Sequence, residues 1–339
     1  MSRRAALLPT MLAAVLLAGC SSSGSSAEPD PPAAGENDPS MFTNPVYAKD
    51  SPDPQAIRVG DTWYLFHTNA EAQNVPVLTS PDLVSWTPAG DALPTLGAWA
   101  QTGKTWAPEV IELETGRYAL YYTAARQGGP QCIGRAVATA PQGPYTDDST
   151  EPLICQADIG GAIDASPFRD TDGSLWLLWK NDGNAVGDDT WLWSQRLTPD
   201  GLTLTGEPAK LLKQTEQWEG ELVEGPFFWR REGKLHLFFA ANAYHNFSYA
   251  EGYAVCESPT GPCTKATENP ILKSTDAASG PGHGSMVEKD GRTWLLYHAW
   301  PPGAEGAVEP GRQLWLSEVT WVDGKPQVRP PSKDPQPRP

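Results

Sequence analysis

Short runs in which apolar and polar side chains alternate return along this chain at a nearly constant interval. A glycine turn followed by an aromatic and aliphatic run occurs at Gly60 (GDTWYLF), Gly116 (GRYALYY), Gly173 (GSLWLLW), Gly233 (GKLHLFF) and Gly291 (GRTWLLY). Successive glycines are 56, 57, 60 and 58 residues apart. Just before each turn lies another short apolar run: QAIRV, EVIEL, SPFRD, PFFWR and SMVEK. Two short runs of this kind across a glycine turn predict a β-hairpin. Further strand-like runs follow in most units, among them PVLTS, IGRAVATA, WLWSQRL and GYAVCES. They bring each repeat towards four strands. Four-stranded units repeated at a fixed period are the blades of a β-propeller, so the expected fold is all-β with five blades. A pair of β-sandwiches offers similar hairpins but gives no reason for a constant period across all five turns.

Composition sharpens this picture without changing it. In 339 residues there are 32 Gly and 34 Pro, the currency of tight turns, and 14 Trp, which supply flat apolar faces. The formal net charge of −16 opposes binding to a phosphate backbone, so no nucleic-acid partner is expected and a neutral ligand fits better. After residue 20 no uninterrupted apolar stretch approaches the ~18 residues of a membrane-spanning helix.

The N-terminal segment reads as an address. Arg3 and Arg4 precede an apolar stretch from Ala5 to Leu17, and Leu17-Ala18-Gly19-Cys20 closes it with small residues before a cysteine. The ending resembles a bacterial lipobox. That resemblance implies removal of residues 1–19 and a lipidated Cys20 on the outer face of the cell membrane. Residues 20–40 then form a flexible linker poor in large apolar side chains, residues 41–330 the propeller, and residues 331–339 a Pro-rich tail. In an exported chain the four remaining cysteines favour disulfides, and three pairings are open. Two local bridges, Cys132 with Cys155 and Cys256 with Cys263, are the favoured set. A zinc site lacks both a C-x-x-C pair and histidine partners.

Each repeat also carries a polar residue shortly before its turn. Asp53 and Glu109 lie 7 residues before their glycines, Asp164 and Glu224 lie 9 before theirs, and His283 lies 8 before Gly291. The first strand of a propeller blade lines the central axis, so these side chains are expected to converge there. Clustered acids repel and desolvate one another, which makes a purely structural origin unattractive.

The segments Asp53-Pro54, Trp106-Ala107-Pro108-Glu109, Ala162-Ile163-Asp164-Ala165-Ser166-Pro167-Phe168, Val223-Glu224-Gly225-Pro226 and Gly282-His283-Gly284-Ser285 resemble, in this order, the motifs of glycoside hydrolase family 43. The similarity extends over roughly residues 41 to 330. It implies hydrolysis of O-glycosyl bonds in a plant-type pentose polysaccharide or oligosaccharide. Asp53 matches the general base, Glu224 the general acid, and Asp164 the aspartate that orients and tunes the acid. His283 matches a histidine near the axis that holds a hydrated calcium ion in many members, and no organic cofactor is implied. Arg312 resembles an arginine that reaches the substrate, although a surface role also fits. Trp106 serves equally well as core packing or as a sugar-stacking face.

Inverting hydrolysis needs one carboxylate to activate water and a protonated carboxyl on the other side of the bond to release the leaving oxygen. Side chains on different blades of one funnel meet that need. Asp50, Glu219 and Glu221 are neighbouring acids without the following Pro or Gly-Pro, and Glu109 is read as a structural acid. Two departures from the family pattern bear on substrate more than on catalysis. The first motif reads Ser51-Pro52-Asp53-Pro54-Gln55-Ala56, and Ala165 stands where Pro is frequent. The leading expectation is an exo-acting, inverting α-L-arabinofuranosidase on arabinan or arabinoxylan. A β-xylosidase or an endo-1,5-α-L-arabinanase is the alternative. A non-catalytic glycan-binding lipoprotein is the reading from another class, and it has no use for three such carboxylates.

Overall fold

The computed structural model describes residues 38–339. The signal peptide, Cys20 and most of the linker expected from the sequence lie outside the described residues. Five antiparallel sheets follow one another along the chain. Blade 1 contains Gln55–Val59, Thr62–Phe66, Pro76–Ser80 and Thr87–Asp91, and blade 2 contains Ala100–Glu114, Arg117–Arg126 and Gln131–Ala138. Blade 3 runs from Ala162–Arg169 through Leu175–Asn181 and Trp191–Leu197 to Leu204–Lys213. Blade 4 comprises Val223–Arg231, Lys234–Ala241, Ala250–Cys256 and Cys263–Lys265, and blade 5 comprises Ser279–Lys289, Arg292–Trp300, Gln313–Val322 and Lys325–Val328. The protein is thus the five-bladed propeller expected from the repeat. Blade 2 alone has three strands, and two isolated bridges, Ile133 with Ile154 and Val137 with Thr146, stand in for its fourth.

Every one of the five turn glycines has a positive φ, which explains why glycine marks the period. The alternating runs that follow bury both faces, because each sheet is packed between two others. Five apolar clusters result, one for each pair of neighbouring blades. Phe66 and Tyr122 join blades 1 and 2, Tyr121 and Trp179 join blades 2 and 3, and Leu178 and Leu237 join blades 3 and 4. Phe238 and Trp315 join blades 4 and 5, while Leu65 and Trp294 close the ring between blades 5 and 1. Each large side chain so buried contributes about 1.5–3 kcal/mol relative to exposure.

The ring is also closed by hydrogen bonds between the ends of the described chain. Asn44 donates to the Leu316 carbonyl at 2.8 Å and accepts from the Leu316 N–H at 2.9 Å. The segment read as a Pro-rich tail is docked and not loose: Gln336–Pro337 pairs with Met41–Phe42, and Arg338 binds Asp82 at 2.9 Å. Both expected disulfides, Cys132–Cys155 and Cys256–Cys263, are present.

Candidate active site

Four inner strands carry a register shift near the axis, and each shift contains a residue of positive φ. The bulges fall between Trp106 and Glu109, at Asp164 and Ala165, between Glu224 and Phe227, and between Gly282 and Ser285. The left-handed residues there are Ala107 (φ 41°), Asp164 (58°), Gly225 (55°) and His283 (49°), and Asp53 (54°) holds the matching place just before the first strand of blade 1. A bulge re-aims a side chain, and here the bulges aim Asp164 and His283 into the axis, where Asp53 meets them from just before its strand. This corrects the alignment obtained by counting back from the turns. Glu224 lies one residue before the shared position and Glu109 two residues after it.

One cavity of about 330 Å3 brings together Asp53, Trp106, Asp164, Glu224, His283 and Arg312. All six residues singled out from the sequence therefore face the same space. Glu109 is not among its lining residues. Asp50 is turned away to accept the backbone N–H of Arg312 at 2.8 Å. Glu219, fully buried, accepts the N–H groups of Thr215 and Glu216 and binds Lys265 at 2.6 Å, so it is a structural acid. Glu221 is exposed.

Asp53 is held on both oxygens. Oδ1 lies 2.9 Å from Arg312, 3.2 Å from His298 Nδ1 and 3.3 Å from His283 Nδ1, while Oδ2 accepts the Thr68 hydroxyl at 2.5 Å. Thr68 Oγ1 in turn accepts the Ala107 N–H at 2.8 Å, which fixes the direction of its own proton. Burial alone would raise the Asp53 carboxyl, but the charges of Arg312 and His283 and the contact with His298 outweigh it and hold the group well below the usual range. His283 shows the reciprocal effect: burial would lower it, and the carboxylates of Asp53, Asp164 and Glu224 raise it. His298 stays neutral, pushed down to about 4 chiefly by burial and also by Arg312.

On the next part of the ring, Asp164 accepts the Gly225 N–H at 3.0 Å, and its own N–H donates to Thr123 Oγ1 at 3.2 Å. Burial, reinforced by Glu224, pushes Asp164 up to about 6 against the pull of His283 and Lys180. Glu224 accepts the Tyr249 hydroxyl at 2.7 Å on one oxygen and the Lys180 ammonium at 3.2 Å on the other. Burial alone would lower Lys180, yet Glu224, Asp164 and Asp182 together raise it, so the cation persists.

Lys180, Tyr249, His298 and Thr68 were missed by the sequence reading. Lys180 and His298 had left a signal: His67, Thr123, Lys180 and His298 all stand seven residues after their turn glycines and interrupt apolar runs. In three cases this second-strand residue touches the inner strand of the following blade, as Thr123 does with Asp164, Lys180 with Glu224 and His298 with Asp53. Tyr249 sits before a third strand and carries no such periodic mark.

Calcium takes six to eight oxygen ligands. Among the described residues no group of three or more His, Cys, Asp or Glu side chains is set to hold a metal ion, and His283 turns Nδ1 to Asp53. The residues present therefore do not form a calcium cage, and an ion beside His283 would draw its shell almost wholly from water.

Across residues 42–326 the chain matches the Glycosyl hydrolases family 43 profile. It belongs to that family and is a glycosidase. The chain is 30% identical to Beta-D-galactofuranosidase xynD of Aspergillus niger over 75% of either chain. It is 29% identical to the Non-reducing end alpha-L-arabinofuranosidase BoGH43B of Bacteroides ovatus over 85% of its own length, but spans only 53% of that relative. The crystal structure of a thermostable family-43 glycoside hydrolase superposes with a TM-score of 0.80 at 31% identity, covering 88% of this chain and 99% of the other.

Proposed function

We propose that this glycosidase removes terminal α-L-arabinofuranosyl residues from arabinan or arabinoxylan with inversion of configuration. Asp53 acts as the base that takes a proton from the attacking water. Glu224 delivers its proton to the leaving oxygen as the bond between that oxygen and the anomeric carbon breaks. Asp164 orients and tunes the acid from the neighbouring blade. The observation that carries this reading is the pairing in one cavity of an ionised Asp53, gripped by Arg312 and His283, with Glu224 held from another direction by Tyr249 and Lys180.

Action on chain ends is supported by the cavity, whose volume of about 330 Å3 lies at the small end of the ligand-sized range. Trp106 and Arg312 are the assigned substrate contacts, the first through its flat face and the second through its donors. A second furanose is favoured by the similarity to a galactofuranosidase, since the two sugars share a five-membered ring and differ in the chain beyond it. Two disulfides fit an exported enzyme that meets polysaccharide outside the cell. Side-by-side hydrolysis of aryl α-L-arabinofuranoside, β-D-galactofuranoside and β-D-xylopyranoside tests the assignment. The arabinofuranoside is expected to give the highest kcat/KM. A preference of tenfold or more for either competitor, or turnover of linear arabinan with none of the three, contradicts it.

A further inference from the structure

A buried lysine is costly unless something needs its charge. Lys180 is 1% exposed and comes from the second strand of blade 3, yet its ammonium ends between carboxylates: 3.2 Å from Glu224 Oε2 and 3.7 Å from Asp182 Oδ1. The fold itself does not require it. Seven residues after the turn glycine of blade 4, the same place is filled by Ala240, fully buried and apolar, and the blade forms equally well. At this position Thr123 and His298 brace Asp164 and Asp53 of the following blade, whereas His67 meets the Thr68 carbonyl instead. Lys180 stands in the same relation to Glu224.

We propose that Lys180 is the positioning residue of the acid, holding the Glu224 carboxyl in place and balancing the negative charge left when its proton passes to the leaving group. This rests on the assignment of Glu224 as that acid. In the step itself the anomeric carbon gains a bond to water oxygen and loses its bond to the leaving oxygen. One proton goes from water to Asp53 and another from Glu224 to the leaving group. The carboxylate produced faces Asp164 and Asp182, both negative when ionised, the neutral hydroxyl of Tyr249, and the imidazole of His283. Only Lys180 among these bonds it with a permanent cation.

Lys180→Met, Lys180→Gln and Lys180→Arg test the proposal on paired substrates, one with a poor alkyl leaving group and one with an activated aryl group. Loss of the charge should lower kcat by about 10- to 100-fold on the poor leaving group and by less than about threefold on the activated one. The alkaline limb of the kcat/KM profile should move to higher pH, because the neighbouring carboxylates lose their counter-charge. Lys180→Arg should restore the limb. Lys180→Gln, which keeps a hydrogen bond without charge, covers the case in which the Met variant does not fold, and should behave like Met. In a Glu224→Ala background, Lys180→Met should cost nothing further on the poor leaving group. An equal loss on both substrates, an unmoved limb, or a further loss in that background overturns the proposal. If Glu224→Ala alone ignores the leaving group, the acid assignment has failed instead.

Discussion

At the scale of single residues, the axis is defined by how each acid is accompanied. Asp53 has Arg312 and His283 beside it and stays ionised; at Glu109 and Glu251 burial outweighs the pull of His283. Burial is the main cause that raises Glu109 to about 8 and Glu251 to about 7, from an ordinary 4.5. Each makes only weak compensation, Glu109 with Ser166 and Glu251 with the Gly284 N–H at 3.2 Å. With folded values above the unfolded one, the native state binds more protons than the unfolded chain in the interval between them. The stability these groups contribute is therefore full below about pH 4.5 and is lost as pH rises through 7 and 8. Melting temperature is expected to fall between pH 5 and 9, and Glu109→Gln and Glu251→Gln should each flatten that fall. Melting curves of the variants that keep the wild-type slope would contradict the assignment.

At the scale of elements, the bulged inner strands connect sequence to site. The hairpins were legible because side-chain alternation and turn glycines survive in any strand that is packed on both faces. The bulge was not, since an extra residue at the start of a strand leaves the later hydrophobic pattern untouched. Counting from the turns therefore matched Glu109 and Glu224 to Asp53, whereas Ala107 and Gly225 hold that place. The docked C-terminus escaped notice for a related reason: a two-residue strand has no periodicity to read.

Gly225 gives the bulge a test. Its φ is +55°, and a Cβ there would come within 2.9 Å of the His283 ring, while Gly60 has a similar φ of +61° with nothing within 4 Å. Ala at either site should pay for the left-handed backbone, about 1 kcal/mol. Gly225→Ala should lose more, by a further ~1–3 kcal/mol, and should also reduce activity by moving the histidine that faces Asp53. Denaturant melts that show equal losses at the two glycines would mean the inner strand tolerates displacement.

At the scale of the whole molecule, the ring brings the carboxyls assigned as base and acid, on blades 1 and 4 and far apart in sequence, into one cavity. Closure depends on the cluster between blades 5 and 1 and on the bonds of Asn44 with Leu316. The three carboxylates were legible as residues because their motifs are short and local. Their partners were less so, because Lys180, Tyr249 and His298 reach them from other strands or other blades, and Arg312, expected only as a substrate contact, also binds Asp53. The central claim is the division of labour between acid and base, and a leaving-group series measured on Glu224→Ala and Asp53→Ala tests it most directly. With both variants shown to be folded, Glu224→Ala should retain most of its kcat/KM on strongly activated aryl glycosides and lose ~10²–10⁴-fold on poor leaving groups, whereas Asp53→Ala should be impaired across the series. A Glu224→Ala enzyme impaired equally on every substrate would contradict the account.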